Sequence, residues 1–260
     1  MLLVADNLTI TNETVEKALA DMDPEPIKRL AADCEAAGAR AIDINPGPLS
    51  RNPELKMRFF VQAVEAATDL PLLIDTANPA AMAAGLSACT KTPVINGFSL
   101  EKAKLEKILP LAGQFDADII GYLIYPDSRV PSNADERLAI ALEIWEHARK
   151  AGIDPSRLIM DPVIVPLSWD NGKFQAREVL SVIRRLPELL GHPVRTIAGI
   201  SNLTAGRGNR KEKAVFERIY LTLLAEAGLD MALLNVFHGE SMETAGFCER
   251  LLNNKVFTWT

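Results

Sequence analysis

The sequence predicts a (β/α)8 TIM barrel, built as a single domain over residues 1–260. Three observations carry that expectation. Eight short runs, each four to eight residues long, are apolar on both alternations, as strands buried on both faces should be. Segments of helical period lie between them, and a chain of 260 residues has room for eight strand-then-helix units. No Gly/Ser linker, charge block or low-complexity tract marks a domain boundary.

The predicted strands are Leu2–Asn7, Ala41–Asn45, Pro71–Asp75, Pro93–Asn96, Asp118–Tyr125, Leu158–Val165, Arg195–Asn202 and Met231–His238. The clearest helix follows Ser132, with Leu138, Ala141, Leu142, Trp145 and Ala148 on one face. Ser132 or Asn133 can cap its start and Gly152 can close it. Gly38, Gly85, Gly113, Gly191 and Gly228 stand a few residues before the next strand, where a left-handed cap is expected. Asn78 followed by Pro79 reads as another helix start. A doubly wound open sheet would carry a Gly-rich phosphate turn after its first strand. Here that position reads Ala5-Asp6-Asn7-Leu8-Thr9.

Composition narrows the function. With 28 Lys+Arg against 34 Asp+Glu, the chain has a formal charge of −6 and lacks the basic footprint of nucleic-acid binding. No apolar run approaches the ~18–20 residues that span a bilayer. Met1 to Val4 have no basic stretch before them, so no signal peptide is expected. Cys34, Cys89 and Cys248 are sparse and odd in number, without Cys-x-x-Cys spacing. They predict neither a disulfide scaffold nor a thiolate zinc site, but small buried hydrophobes in a reducing, cytoplasmic setting. His147, His192 and His238 lie far apart in sequence, so no metal site is expected. His147 should be exposed on a helix, His192 inert in a loop, and His238 at the end of the eighth strand. No Gly-x-Ser-x-Gly elbow is present.

In such a barrel the C-terminal strand ends converge on one mouth. Those positions read Asn7, Asp43 with Asn45, Asp75, Asn96, Asp161 and Asn202, a ring with almost no cations. Asp and Asn favour strand ends in any fold, because they bond nearby backbone. Several of them at the mouth of an apolar barrel also need external donors. A carboxylate accepts two parallel N–H bonds from an aminopyrimidine, and an amide both donates and accepts. The set suits a neutral, planar, nitrogen-rich ring such as a pterin or purine edge.

Ala39-Arg40-Ala41-Ile42-Asp43-Ile44-Asn45-Pro46-Gly47-Pro48, Leu73-Ile74-Asp75-Thr76-Ala77-Asn78, Val94-Ile95-Asn96, Met160-Asp161-Pro162 and Gly199-Ile200-Ser201-Asn202 occur in this order. The ordered set resembles the pterin-binding methyltransferases that exchange a methyl group between tetrahydrofolate and a corrinoid protein. That family is similar in fold to dihydropteroate synthase. The resemblance implies tetrahydrofolate or methyltetrahydrofolate as substrate, a corrinoid carried by a partner protein, and a homodimer. It implies that Asp75, Asn96 and Asp161 hydrogen-bond the pterin ring, with Gly199 and Ser201 as its neighbours and Asp43 and Asn45 nearer the mouth. Asn202 matches the mobile amide that reaches N5, the methyl-bearing atom. Arg207, Arg210, Lys211 and Lys213 form a basic stretch after the seventh strand, either a solvated helix start or a contact for the folate tail or an acidic partner.

Departures point within the family. The corrinoid/iron–sulfur-protein type reads Gly-Glu-Arg-Ile-Asn in its first strand, unlike Ala5-Asp6-Asn7-Leu8-Thr9 here. Gly97-Phe98-Ser99 follows Asn96, and Tyr122 and Tyr125 end the fifth strand. These differences favour the methyltransferase of an O-demethylation system, delivering methyl groups to tetrahydrofolate, over that of acetyl-CoA synthesis. Dihydropteroate synthase would carry a Ser-Arg-Lys run and an Arg-x-His where this chain has Ser201-Asn202-Leu203-Thr204 and Asn235-Val236-Phe237-His238. A non-catalytic folate-binding module is the alternative from another class.

Overall fold

Each apolar run forms a strand in the computed structural model, which describes residues 1–49 and 51–252; Ser50 and residues 253–260 of the expected domain lie outside the described residues. The strands are β1 (Leu2–Thr9), β2 (Ala41–Asn45), β3 (Leu72–Asp75), β4 (Val94–Phe98), β5 (Asp118–Tyr122), β6 (Leu158–Asp161), β7 (Arg195–Gly199) and β8 (Met231–Leu234). All neighbours pair in parallel, and β1 closes on β8 to make one barrel in chain order. The helices outside it are α1 (Glu13–Asp21), α2 (Pro24–Ala36), α3 (Pro53–Glu65), α4 (Pro79–Ala88), α5 (Lys102–Lys107), α6 (Leu109–Gln114), α7 (Ala134–Lys150), α8 (Gly172–Leu190), α9 (Arg210–Ala227) and α10 (Gly239–Leu252). None of these described helices is long and apolar enough to cross a membrane.

The sequence overextends four strands. Those expected to reach Tyr125, Val165, Asn202 and His238 stop at Tyr122, Asp161, Gly199 and Leu234. Beyond those ends the chain stays apolar because its loops are buried as well. Leu123, Ile164, Val165, Ile200, Leu203 and Val236 pack over the strand ends and are all buried. Conversely, β1 and β4 run two residues further than expected.

Local chemistry accounts for most helix ends. Asn133, not Ser132, caps α7: its Oδ1 accepts from Glu136 N at 2.9 Å, while Glu136 Oε2 accepts from Ser132 N at 3.2 Å. Asn78 accepts from Ala80 N and Ala81 N ahead of Pro79. Gly38, Gly152, Gly191 and Gly228 have positive φ after helix ends, as expected, but Gly85 and Gly113 lie inside α4 and α6. Gly85 is there for packing, since a Cβ would come within 2.8 Å of Met57 Cγ. Leu142, expected on the buried face of α7, is exposed; Arg137, Ile140 and Ile144 take that face with Leu138 and Ala141.

The barrel interior shows why polar residues gather at one end. Val4, Ala41, Leu73, Val94, Ile120, Ile159, Ile197 and Met231, one from each strand, form a single buried cluster. Side chains two positions on point the same way along a strand. Reading two residues further therefore gives Asp6, Asp43, Asp75, Asn96, Tyr122, Asp161, Gly199 and Leu233. An apolar floor is overlaid by a layer that is mostly acid, amide and phenol.

Candidate active site at the barrel mouth

Hydrogen bonds tie this polar layer together before any ligand arrives. Asn45 Nδ2 donates to Asp75 Oδ2 at 2.6 Å, and Asn45 Oδ1 accepts from Gly47 N at 2.9 Å. Deeper in the barrel, Asn96 Nδ2 donates to Asp43 Oδ1 at 2.8 Å, and the Tyr122 hydroxyl donates to Asn96 Oδ1 at 2.7 Å. Both ends of the Asn96 amide are thereby fixed in one orientation. Asp161 Oδ1 accepts from Val163 N at 2.8 Å, and Val163 takes a left-handed φ of 60° to make that turn. Such a conformation is costly for a β-branched residue. It is braced from below, where the buried Arg137 donates through Nε to Pro162 O at 2.9 Å and to Gln175 at 2.8 Å.

Burial dominates the electrostatics of these carboxyls. It pushes Asp75 up to about 6, with Lys104 and the Asn45 amide pulling the other way. Asp161 is pushed by burial up to about 7, against the Val163 N–H and Arg137. For Asp43, burial and the nearby Asp75 charge raise the carboxyl well above its ordinary range despite the Asn96 amide. These three aspartates of one layer thus sit in surroundings that favour an incoming cluster of N–H donors.

The structure brings Asp43, Asn45, Asp75, Asn96 and Asp161 together at the C-terminal end of the barrel. Asn45 and Asp75 also line an open cleft of about 690 Å3. Asn202 stands apart from these five. It lies past β7 on a 3-10 turn, Ile200–Thr204, and is exposed, as is Ser201. Its amide folds back over Gly199, where an added Cβ would meet Asn202 Nδ2 at 3.0 Å. Gly199 therefore leaves the space that Asn202 uses. The turn is pinned on both sides: Leu167 N donates to Leu203 O at 2.9 Å, and Thr204 bonds Glu217 of α9.

Arg207 and Lys213 line a separate groove of about 530 Å3 with Lys173, Phe216 and Tyr220, whereas Arg210 opens α9. His238 lies four residues beyond the end of β8 rather than at it. His147, expected to be exposed, is half-buried. Cys34 and Cys248 are buried, and Cys89 is half-buried at the end of α4.

The strand-end reading missed several residues. Asn7, inside β1, donates through Nδ2 to Asn235 Oδ1 at 2.7 Å and lines a cleft beside β8, while Asp6 takes the inward position in the row above Val4. Counting two residues on from Val4 finds Asp6. Lys104 of α5 lies 5.3 Å from the Tyr122 ring centroid, a cation at a mouth expected to have almost none. No sequence signal marks it.

The family model described as "Pterin binding enzyme" matches residues 8–235. This chain belongs to the pterin-binding enzymes. The ordered motifs suggest a pterin-binding family, and the match agrees with that. Among curated relatives, the methylcorrinoid:tetrahydrofolate methyltransferase of Eubacterium limosum is 25% identical over 259 residues, covering 98% of this chain and 92% of that protein. The methionine synthase of Mycobacterium tuberculosis is 24% identical over 230 residues, 84% of this chain but 19% of that much longer protein. Among solved structures, the dihydropteroate synthase of Xanthomonas albilineans in complex with 7,8-dihydropteroate superimposes with a TM-score of 0.70 at 20% identity, covering 96% of this chain and 93% of that one. The dihydropteroate synthase of Stenotrophomonas maltophilia gives a TM-score of 0.70 at 18% identity. These structural likenesses establish the shared barrel.

Proposed function

We propose that this pterin-binding enzyme transfers a methyl group from a methylcorrinoid protein to N5 of tetrahydrofolate. The observation that carries the reading is the end-to-end similarity to a methylcorrinoid:tetrahydrofolate methyltransferase, on a mouth rich in acceptors for a pterin. Asp75 and Asp161 accept the ring's N–H groups as carboxylates. Asn96, held by Asp43 and Tyr122, matches the ring's donor and acceptor edge. Gly199 and Ser201 flank the ring, while Asn202 follows charge at N5 by hydrogen bonding. Arg207 and Arg210 are available to the folate tail or an acidic partner surface.

A dihydropteroate synthase reaction fits less well. The cleft of about 350 Å3 between β1, β7 and β8 contains Asp6 and Glu217, and neither Lys nor Arg among the described residues that line it. A pyrophosphate leaving group would meet carboxylates there.

The methyl group comes, in this reading, from an O-demethylation system, and the corrinoid resides on a separate partner. The enzyme acts in the cytoplasm, where free thiols persist. It works as a homodimer, for which α9 offers Val215, Phe216, Ile219 and Leu223, all 44–55% exposed.

Anaerobic mixing with methylcob(III)alamin and tetrahydrofolate tests the reaction class. Cob(I)alamin and methyltetrahydrofolate are the expected products. Failure to bind folate would remove the reading, and a cognate corrinoid protein bearing an iron–sulfur cluster would overturn the O-demethylation context.

A further inference from the structure

Asp75 and Asp161 are assigned to the pterin and Asp43 holds the Asn96 amide; Asp6 has neither of these duties. It sits two residues above Val4, in the same inward row as Asp75, Asn96 and Asp161. A register shift in β1 between Ala5 and Leu8 separates it from the regular pairing with β2. Its Oδ2 accepts from the Ser201 hydroxyl at 3.4 Å, across the mouth from β1 to the turn after β7. Ser201 adjoins Asn202, whose amide occupies the space above Gly199. Asp6 also lines the cleft of about 350 Å3 between β1, β7 and β8.

We propose that the Asp6 carboxylate takes the N5 proton as the methyl group arrives, and returns it in the reverse reaction. This inference rests on the methyl-transfer reading. The N5 lone pair forms the bond to the methyl carbon. The cobalt–carbon bond breaks with its electron pair left on cobalt, which passes from Co(III) to Co(I). Nitrogen then bears four bonds and a positive charge, which it loses by giving its proton to Asp6. Asn202 cannot accept that proton, since a carboxamide is too weak a base. Ser201 is a positioning residue that orients the carboxylate.

The surroundings suit a group that changes charge. Burial pushes Asp6 up to about 6, with the Ser201 hydroxyl and His238 opposing it and Glu217 reinforcing it. The other titratable groups facing it are Asp43 on β2 and Cys34 on α2. Forward transfer needs the ionised form, so its rate should fall as pH drops through about 6. Reverse transfer needs the protonated form and should rise over the same range.

The test is single-turnover methyl transfer in both directions between methylcobalamin and tetrahydrofolate, from about pH 5 to 8, for wild type, Asp6→Asn and Asp6→Glu. Asp6→Asn should lose about 100-fold in rate and lose both opposed pH dependences. Its tetrahydrofolate affinity by calorimetry should stay within about threefold, and Asp6→Glu should restore the opposed limbs. A limb due to N5 itself would be common to all three proteins. An Asp6→Asn protein with the wild-type profile would overturn the role of Asp6 and leave the methyltransferase reading standing. A wild-type protein that binds tetrahydrofolate but exchanges no methyl group would overturn both.

Discussion

Asp161 illustrates what a single residue of this site costs the fold. Its folded-state carboxyl, near 7, lies above the ordinary value of 3.8, so the native chain holds that proton more tightly than the unfolded chain does. Its contribution to stability is fullest below about 4 and is lost as pH rises through 7. Asp161→Asn keeps an Oδ1 for Val163 N and removes the buried charge. At pH 7.5 it should raise the melting temperature of the ligand-free protein by about 2–4 °C, with the difference shrinking on acidification. The same substitution should weaken folate binding. Because Asp161 and Asp75 bind the ring ionised, wild-type folate affinity measured by calorimetry should drop by about tenfold or more between about pH 7.5 and 5.5. Asn202→Ala should reduce turnover more than folate affinity, whereas Asp75→Ala should mainly weaken binding. Equal, small effects would undo that division of labour.

At the scale of elements, β4 is where position and chemistry are most tightly joined. A Cβ on Gly97 would lie 2.5 Å from Ile120 O on β5 and 3.2 Å from Tyr122 Cζ. Gly97→Ala must push β4 from β5 and disturb the Tyr122–Asn96–Asp43 chain. A loss of about 2 kcal/mol in denaturant unfolding, with weaker folate binding, is the expected result. The strands were legible in the sequence because burial on both faces leaves apolar runs, and Asp43, Asp75, Asn96 and Asp161 because those runs end in them. What the sequence hid follows from parity and loops. Asn7 looked like a strand end, yet inward direction belongs to Asp6. Buried loop residues such as Ile164 and Val236 are indistinguishable by type from strand residues, so residue type alone overextends four strands. Lys104 and Arg137 reach the site region from helices, where no local pattern announces them.

For the whole molecule, the exposed apolar stripe of α9 makes the association state testable. Val215, Phe216, Ile219 and Leu223 follow helical spacing on one side of α9, between α8 and α10, against both of which it packs. Phe216→Asp with Ile219→Asp should convert a dimer to a monomer by light scattering. A wild-type monomer would remove the homodimer from the proposal. The floor of eight apolar side chains has another consequence, concerning time rather than position. A barrel stopped at the bottom has one doorway, and both reactants must use it in turn. The pterin has to enter first, since a docked corrinoid protein would cover its only way in. Methyltetrahydrofolate then waits until that partner departs, and an excess of partner should slow turnover by keeping the product indoors.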